Sequence, residues 1–506
     1  MKRLSSTFIL VFLMLGFTAK AQLCDTTRYK DAIFNVSRTD DIVYGNAQAI
    51  PAVYVSENIT VAQDLKLDLF MPIGDTLAKR PLLMFAFGGG FLIGSKEDED
   101  ARALCDSFAR KGFVTASINY RLGMNISSAI SGERAVYRAV QDWSAAIRYF
   151  KEYADSFRID TSWIFAGGVS AGSISAMHCQ YASESERPFS SFAQTFPFTA
   201  PDLGCKDCSG NSFAHSSQAR ALINCWGAIG DTAWIEPSDN VPMISFHGDL
   251  DPVVPYGFGL PFTALFTMPP VYGSSLIHAR QDNIGIDNAF TPYLGEGHNV
   301  WGTIVSNSFV PGPTQHWAPI LDSIETFLWK ILEPTTGPIS GIGFSYPSNL
   351  ETYTVNHQAG YHWCWEVSGG NIVSSNPSSD TIVVEWITPG LGSVKCQAVS
   401  HLGAVADASE LPVVVGLVGT EVESTPALFK ISNLADQHSV EIGSAVKGNF
   451  KLKVMNLQGI VVWEEELNAA QNREISLPSS AWPAGIYFLA LQSKRDNMVQ
   501  RFVNTH

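Results

Sequence analysis

The chain has 506 residues, of which 46% are hydrophobic and 16% charged, with a formal net charge of −15. This is the composition of a folded protein, and the length indicates two to four domains. The acidic surface repels phosphate backbones and anionic lipid, which argues against nucleic-acid binding.

The first 22 residues, MKRLSSTFILVFLMLGFTAKAQ, have the organisation of an export signal. Lys2 and Arg3 form a basic start, residues 8–17 are apolar, and Ala19-Lys20-Ala21 is a small-residue cleavage site. The apolar run is too short to span about 30 Å of hydrocarbon. We therefore predict a signal peptide over residues 1–21 and no membrane span after its cleavage.

Residues 22–333 alternate between strand and helix patterns. Continuous apolar runs such as PLLMFAF (81–87) are typical of strands that are covered on both faces. The predicted strands are 65–72, 81–87, 112–120, 162–168, 221–229, 241–248 and 290–297, and the predicted helices are 132–154, 171–182 and 316–332. Such alternation predicts an α/β domain whose mostly parallel sheet has helices on both faces.

The pattern changes at EPTTGPISG (333–341), where Pro and Gly mark a linker. Short strands separated by Gly, Asn and Ser turns follow over residues 338–415 and predict a small β-sandwich. A second boundary falls at 416–426. Residues 427–506 are again all-β, with two strands expected around Gln458-Gly459, so we expect two small all-β domains after the α/β domain.

The stretch FAGGVSAGS (165–173) carries a candidate nucleophile, Ser170. Gly168-Val169-Ser170-Ala171-Gly172 is a G-x-S-x-G motif between a predicted strand and a predicted helix. A sharp turn there exposes the serine hydroxyl and needs small residues where the chain passes close to itself. We expect Ser170 at the apex of this turn.

A second glycine-rich stretch, FAFGGGF (85–91), ends an earlier predicted strand. Three consecutive glycines leave backbone N–H groups uncovered, which suits an oxyanion hole. We predict Gly89, Gly90 and the N–H of Ala171 as the donors.

Two further stretches can complete a catalytic triad with Ser170. Asp251 in SFHGDLDPVVPY (245–256) is the expected orienting acid, with Asp249 as the alternative, and the nearby His247 is expected to be structural. His298 lies in the glycine-rich YLGEGHNVW (293–301) and is the expected base. The order Ser, Asp, His is found in one of the several folds that use this triad.

The eight cysteines are candidates for disulfides because the chain is expected to be exported. Cys364 and Cys396 lie apart from the others and are expected to pair. Cys205 and Cys208 form a CxxC in a polar loop without a second CxxC or a histidine pair, so a loop disulfide, with Cys225 as one candidate partner, is favoured over zinc.

Together the motifs GGGF, INYRLG (118–123), GGVSAGS and HGDLDPVVPY resemble the carboxylesterase-like branch of the α/β-hydrolase superfamily over about residues 40–332. The resemblance implies an α/β-hydrolase catalytic domain. Phe87 stands where that branch often has His; the oxyanion donors are backbone groups, so the hole is expected to survive. Tyr120 and Arg121 of INYRLG are expected to brace the sheet.

Residues 338–415 resemble the PKD-like, immunoglobulin-like modules of secreted enzymes. Residues 427–506 resemble the C-terminal sorting domain of the bacterial type IX secretion pathway, through VMNLQGIVVW, LPSSAWPAGIYFLAL and MVQRFVN. This second resemblance implies passage through the outer membrane, with the type IX machinery as a partner and a secreted or cell-surface location.

These observations predict a secreted serine hydrolase that acts on carboxylic esters and needs neither a metal nor an organic cofactor. Phe91, Trp226, Tyr256 and Trp301 are candidates for an aromatic substrate cleft, with core packing as the alternative. The substrate is expected to be a small-molecule or polymer-linked ester. A serine peptidase of the same fold and an inactive surface binding protein are the rival functions.

Overall fold

The computed structural model describes Cys24 and residues 27–51, 54–261, 268–302, 314–416, 428–434, 437–457, 459–471, 473–494 and 497–504. Its chain divides into two compact units. The first, here called the N-terminal unit, comprises Thr27–Glu333 and Leu402–Ala404. The second, the C-terminal unit, comprises Pro334–His401 and Val405–His506, together with the N-terminal stretch that holds Cys24.

The N-terminal unit is built on an eight-stranded sheet with the order β1-β2-β4-β3-β5-β6-β8-β11. Strands of this unit, in chain order, are β1 (Val36–Ala49), β2 (Val61–Pro72), β3 (Arg80–Ala86), β4 (Val114–Ile118), β5 (Ile159–Val169), β6 (Ala221–Cys225), β7 (Ala228–Ile229), β8 (Met243–Gly248), β9 (Phe258–Gly259), β10 (Val271–Gly273) and β11 (Asn288–Tyr293). From β4 to β11 every pairing is parallel, whereas β1, β2 and β4 pair antiparallel. The carboxyl ends of the parallel strands therefore meet at one edge, where sheets of this type place their sites.

Helices cover both faces of this sheet. They are α1 (Glu99–Arg110), α2 (Ala129–Glu152), α3 (Ala154–Phe157), α4 (Ala171–Tyr181), α5 (Ser274–Ile284) and α6 (Trp317–Leu332). Buried side chains of α2, α4 and α5 form one apolar core against the sheet, and those of α1 and α6 form another on the opposite face. The predicted α/β class, with a mostly parallel sheet between two helical layers, is confirmed.

Several features of this unit differ from the sequence analysis, and the largest are these. The long edge strand β1 and helix α1 were not predicted, because β1 is rich in polar residues and α1 begins in a run of charged ones. The stretch 221–229 is not one strand: β6 ends at Cys225, and Trp226 adopts a positive φ of 44° that turns the chain away from the sheet.

The C-terminal unit is all-β and contains two pairs of sheets. Its strands are β12 (Phe344–Ser345), β13 (Leu350–Thr354), β14 (His362–Ser368), β15 (Gly370–Ser375), β16 (Thr381–Trp386), β17 (Gly390–Val399), β18 (Ser409–Val415), β19 (Phe429–Leu434), β20 (Gln437–Ile442), β21 (Asn449–Asn456), β22 (Val461–Asn468), β23 (Glu474–Leu477), β24 (Gly485–Ser493) and β25 (Asn497–Asn504). Strands β12–β18 form one pair of sheets and β19–β25 the other, each pair around its own apolar core. Two small β-sandwiches follow the α/β unit, as the fold class predicted.

The predicted pairing of Cys364 with Cys396 is wrong. In the antiparallel pair β14–β17, Trp365 stands opposite Cys396 and Cys364 stands opposite Gln397. Neighbouring residues of a strand point to opposite faces, so Cys396 is buried in the core while Cys364 faces outward. Cys364 instead forms a disulfide with Cys24.

The other predicted disulfide closes within the CxxC itself, between Cys205 and Cys208. Cys225 is not its partner, since that thiol is buried at the end of β6. The predicted signal peptide (1–21) lies outside the described residues, as does the predicted boundary at 416–426 apart from its first residue. Among the described helices, none combines the length and the apolar character that crossing a membrane requires.

Candidate active site

Ser170 lies between the last residue of β5 and the first of α4, at φ 52° and ψ −119°. This conformation is costly for a residue with a side chain, and such strain concentrates at functional sites. The flanking glycines permit the turn. A Cβ on Gly172 would lie 2.4 Å from the carbonyl oxygens of both Ala86 and Phe87, and one on Gly168 would lie 2.7 Å from that of Ala86.

The structure brings the hydroxyl of Ser170, the imidazole of His298 and the carboxylate of Asp251 into one hydrogen-bonded row. Nε2 of His298 lies 3.0 Å from Oγ of Ser170, and its Nδ1 lies 2.7 Å from Oδ2 of Asp251. Asp251 follows β8 and His298 follows β11, and these strands are parallel neighbours. Their carboxyl ends therefore deliver the acid and the base to the same edge as Ser170.

Asp251 is surrounded by hydrogen-bond donors. Its Oδ1 accepts from the backbone N–H groups of Val253 and Val254, at 2.7 and 2.9 Å. Its Oδ2 faces His298 and also Nε2 of His247, at 3.2 Å. Burial opposes the ionisation of this carboxyl, but the hydrogen bonds from His247 and His298 outweigh it and hold the pKa of Asp251 well below its usual range.

The glycine loop 88–90 lies beside Ser170. A Cβ on Gly88 would be 3.2 Å from Cβ of Ser170, and Gly89 and Gly90 have φ angles of 109° and 61°. The N–H groups of Gly89, Gly90 and Ala171 donate to no other group within the described part of the chain. They are free to face an oxygen that is bound at Ser170, and that of Ala171 adds the positive end of helix α4.

Tyr120 holds this loop in place. Its ring stacks on Phe87 at 4.4 Å between centroids, and its hydroxyl donates to the carbonyl of Phe87 at 3.0 Å. We expected Tyr120 to brace the sheet edge, and its contact at the start of the glycine loop was not foreseen. Arg121 forms a buried ion pair with Asp142 of α2 at 2.8 Å.

The four candidate cleft aromatics do not form a single wall. Trp226 lies edge-on to His298, with centroids 6.3 Å apart, and Trp301 packs against Trp226 in the core. Tyr256 packs edge-on against His247, and Phe91 is buried against Tyr120. Trp226 is thus the member of this set that contacts the candidate base directly.

A cavity of about 150 Å³ is lined by residues that adjoin the glycine loop and the nucleophile turn in the chain, but not by Ser170 itself. Its wall includes Phe91, the residue after Gly90, and Ile174, whose N–H donates to the carbonyl of Ser170 at 2.9 Å. His178 and Trp234 also line this cavity. Burial lowers the pKa of His178 to about 4, so this histidine is neutral near pH 7 and the lining is largely apolar.

The remaining polar candidates lie elsewhere. Asp249 accepts from the N–H of Gly295 at 2.6 Å and shapes a turn. Within the described residues, the only group of His, Cys, Asp or Glu side chains close enough to hold a metal is Cys24, His362 and Cys364, in which the two thiols are joined as a disulfide.

Two family models match this chain. Residues 67–227, which include the glycine loop and Ser170, match the family described as BD-FAE. Residues 435–505 match the secretion system C-terminal sorting domain. The chain thus carries an esterase-like α/β-hydrolase domain and a type IX sorting domain, as the sequence predicted, and the sorting domain indicates secretion or a cell-surface location. The PKD-like identity of 338–415 stays a prediction.

Curated relatives and solved structures give further likenesses. Gut esterase 1 of Caenorhabditis briggsae is 33% identical, and that of Caenorhabditis elegans 31%, each over 98 residues that cover 19% of this chain. The chain spans 17% of the length of these relatives. Native esterase 2 of Thermogutta terrifontis is 22% identical over 57% of this chain and 91% of its own, with a TM-score of 0.39. The propionate-bound form of the same esterase is 23% identical over 60% of this chain and 97% of its own, also with a TM-score of 0.39.

Proposed function

We propose that the protein is a secreted serine hydrolase that cleaves carboxylic esters through an acyl-enzyme. The observation that carries this proposal is the row Ser170–His298–Asp251, hydrogen-bonded at 3.0 and 2.7 Å beside a loop with free backbone donors. An activated hydroxyl nucleophile requires a base, an orienting acid and facing donors, and this arrangement supplies all three.

In the first half-reaction, Oγ of Ser170 attacks the ester carbonyl while Nε2 of His298 takes the hydroxyl proton. Asp251 keeps the other proton of the imidazole on Nδ1 and stabilises the imidazolium that forms. The N–H groups of Gly89, Gly90 and Ala171 bind the negatively charged oxygen of the tetrahedral intermediate. One such donor contributes about 3 kcal/mol in comparable sites.

The imidazolium then returns its proton to the leaving alcohol, and the C–O bond of the ester breaks. In the second half-reaction water attacks the acyl-enzyme, with His298 again as the base, and Ser170 is regenerated with release of the acid. Every proton in this cycle moves through His298, so no metal or organic cofactor is required.

The cavity that Phe91 and Ile174 line supports a substrate with a compact apolar group. Its volume of about 150 Å³ suits a single ring or a short chain, since an apolar cavity of about this size holds benzene in another protein. Export and the added β-modules favour a polymer-linked ester, such as an acylated polysaccharide or a polyester, over a metabolite. A panel of short-acyl, feruloyl, acetyl-xylan and polyester substrates identifies the acyl and alcohol groups.

Hydrolysis of p-nitrophenyl acetate by the full chain tests the function itself. We expect turnover that is lost in Ser170→Ala and in His298→Gln but kept in the control His316→Gln, whose histidine pairs with Glu296. Full turnover by Ser170→Ala would contradict the proposal. Faster cleavage of peptides than of esters would favour the peptidase, and inactivity toward the whole panel would favour a binding protein.

A further inference from the structure

Asp251 has a second histidine neighbour, His247, which the three-residue mechanism does not use. The His247 side chain is fully buried at the end of β8. Its Nε2 faces two acceptors, Oδ2 of Asp251 at 3.2 Å and the carbonyl of Val254 at 3.1 Å. Because both neighbours are acceptors, this nitrogen must carry a hydrogen.

A chain of buried polar groups fixes that hydrogen, and it starts from a backbone amide. The N–H of Gly227 can only donate, and it lies 2.8 Å from Oδ1 of Asn224. The amide of Asn224 is therefore oriented with its oxygen toward Gly227 and its nitrogen toward Oγ of Ser274, at 3.0 Å. Ser274 accepts this hydrogen bond, so its own hydroxyl hydrogen is free to donate elsewhere.

The neighbour that receives this hydrogen is Nδ1 of His247, 2.8 Å from Oγ of Ser274. Nδ1 is thus an acceptor and Nε2 a donor, which hydrogen-bonds to the carbonyl of Val254 and lies 3.2 Å from Oδ2 of Asp251. The same Asn224 oxygen also accepts from Oγ of Ser173 at 2.6 Å, one turn along the helix that Ser170 begins. The network therefore connects the nucleophile helix to the acid through β6, α5 and β8.

We propose that Asn224, Ser274 and His247 are positioning residues that hold the carboxylate of Asp251 in the orientation that His298 requires. Asp251 then accepts two hydrogen bonds on Oδ1 and one on Oδ2, and the N–H of His247 lies 3.2 Å from Oδ2, so the carboxylate is held on both oxygens. This inference rests on the proposed function, because its consequence is the rate at which His298 acts as a base.

Four variants of the full chain test the network by steady-state kinetics with p-nitrophenyl acetate. His247→Phe removes the N–H group that lies beside Oδ2 of Asp251 and should lower kcat about ten- to a hundredfold with KM unchanged. His247→Gln places an amide N–H near the position of Nε2, so its kcat should be close to the wild-type value and well above that of His247→Phe. Ser274→Ala removes the group that fixes the tautomer and should lower kcat about fivefold.

Ser245→Ala is the matched control. Ser245 is as deeply buried as Ser274 and also accepts from Asn224, at 2.9 Å, but among the described residues it makes no hydrogen bond to His247. The Ser245→Ala variant should therefore have a lower free energy of unfolding than the wild type but the same kcat. Equal kcat values for Ser274→Ala and Ser245→Ala would overturn the proposal even if His247→Phe does not fold.

A spectroscopic measurement separates this inference from the proposed function. The proton between His298 and Asp251 should give a far-downfield ¹H resonance that shifts in Ser274→Ala and stays in place in Ser245→Ala. If the wild type hydrolyses no ester, the function fails while this comparison still decides the role of the network. An identical resonance in the wild type and Ser274→Ala would overturn it.

Discussion

Replacement of Gly172 by alanine tests whether the nucleophile turn depends on close contact with the glycine loop. The added Cβ would lie 2.4 Å from the carbonyl oxygens of Ala86 and Phe87, whereas ordinary contacts begin at 3.4 Å. Both neighbours are backbone atoms of a buried strand end and cannot rotate away. Helix α4 must therefore move by about 1 Å, which is 3.4 − 2.4 Å.

Such a shift carries Ser170 away from both His298 and the amides of Gly89 and Gly90. A misplacement of about 1 Å costs on the order of a hundredfold in rate. We therefore expect Gly172→Ala to lower kcat on p-nitrophenyl acetate about a hundredfold and to destabilise the fold by about 1–3 kcal/mol. Kinetics and urea unfolding of the same preparation measure the two effects.

Gly297→Ala is the control, because Gly297 precedes His298 and its Cβ would meet, among the described residues, only Pro252, at 3.8 Å. This variant should keep the wild-type kcat within about threefold. The reasoning is refuted if folded Gly172→Ala also keeps a kcat within threefold of the wild type, because Ser170 would then not need the observed turn.

Three further predictions follow from the site and the domain organisation. Asp251→Asn should lower kcat by about 10⁴, as loss of the orienting acid does in serine hydrolases, while Asp249→Asn stays active. Because the pKa of Asp251 is depressed in the folded protein, the ionised carboxylate stabilises the fold fully above about pH 4 and loses this effect as the pH falls. The difference in free energy of unfolding between the wild type and Asp251→Asn should therefore shrink only in acid. The pKa of His178 is about 4 against an ordinary 6.5, so this group should cost the wild type up to about 3 kcal/mol of stability between pH 6.5 and 4, and unfolding of His178→Gln should lack this dependence. Deletion of residues 427–506 should retain the enzyme inside a host with type IX secretion, as fractionation and blotting would show; release into the medium at the wild-type level would contradict the role of the sorting domain.

The α/β class and the candidate triad could be predicted because both depend on local signals. Apolar runs mark buried parallel strands, and G-x-S-x-G marks a turn whose geometry few residues can adopt. The edge strand β1 lacks an apolar run because most of its residues are polar. It forms a strand through its backbone pairing with β2, which its own residues do not indicate.

Contacts between distant segments set the limit of sequence reasoning. Whether Cys364 can pair with Cys396 depended on the register of β14 against β17. A change of one residue in that register moves a side chain from the core face to the outward face, and the sequence does not fix it. Tyr120 and His247 were both expected to be structural. The contact of Tyr120 with Phe87, next to the glycine loop, and that of His247 with Asp251 appear only in three dimensions. The sequence signal that could have indicated the second contact is His247 itself, a histidine four residues before the candidate acid Asp251.

The central claim, that Ser170 is the nucleophile, is tested most directly by labelling the full chain with a fluorophosphonate and locating the adduct by peptide mass spectrometry. We predict one adduct per chain, on the peptide that contains Ser170, with no adduct in His298→Gln at the same exposure. An unlabelled protein, or an adduct on any other residue, would contradict the account.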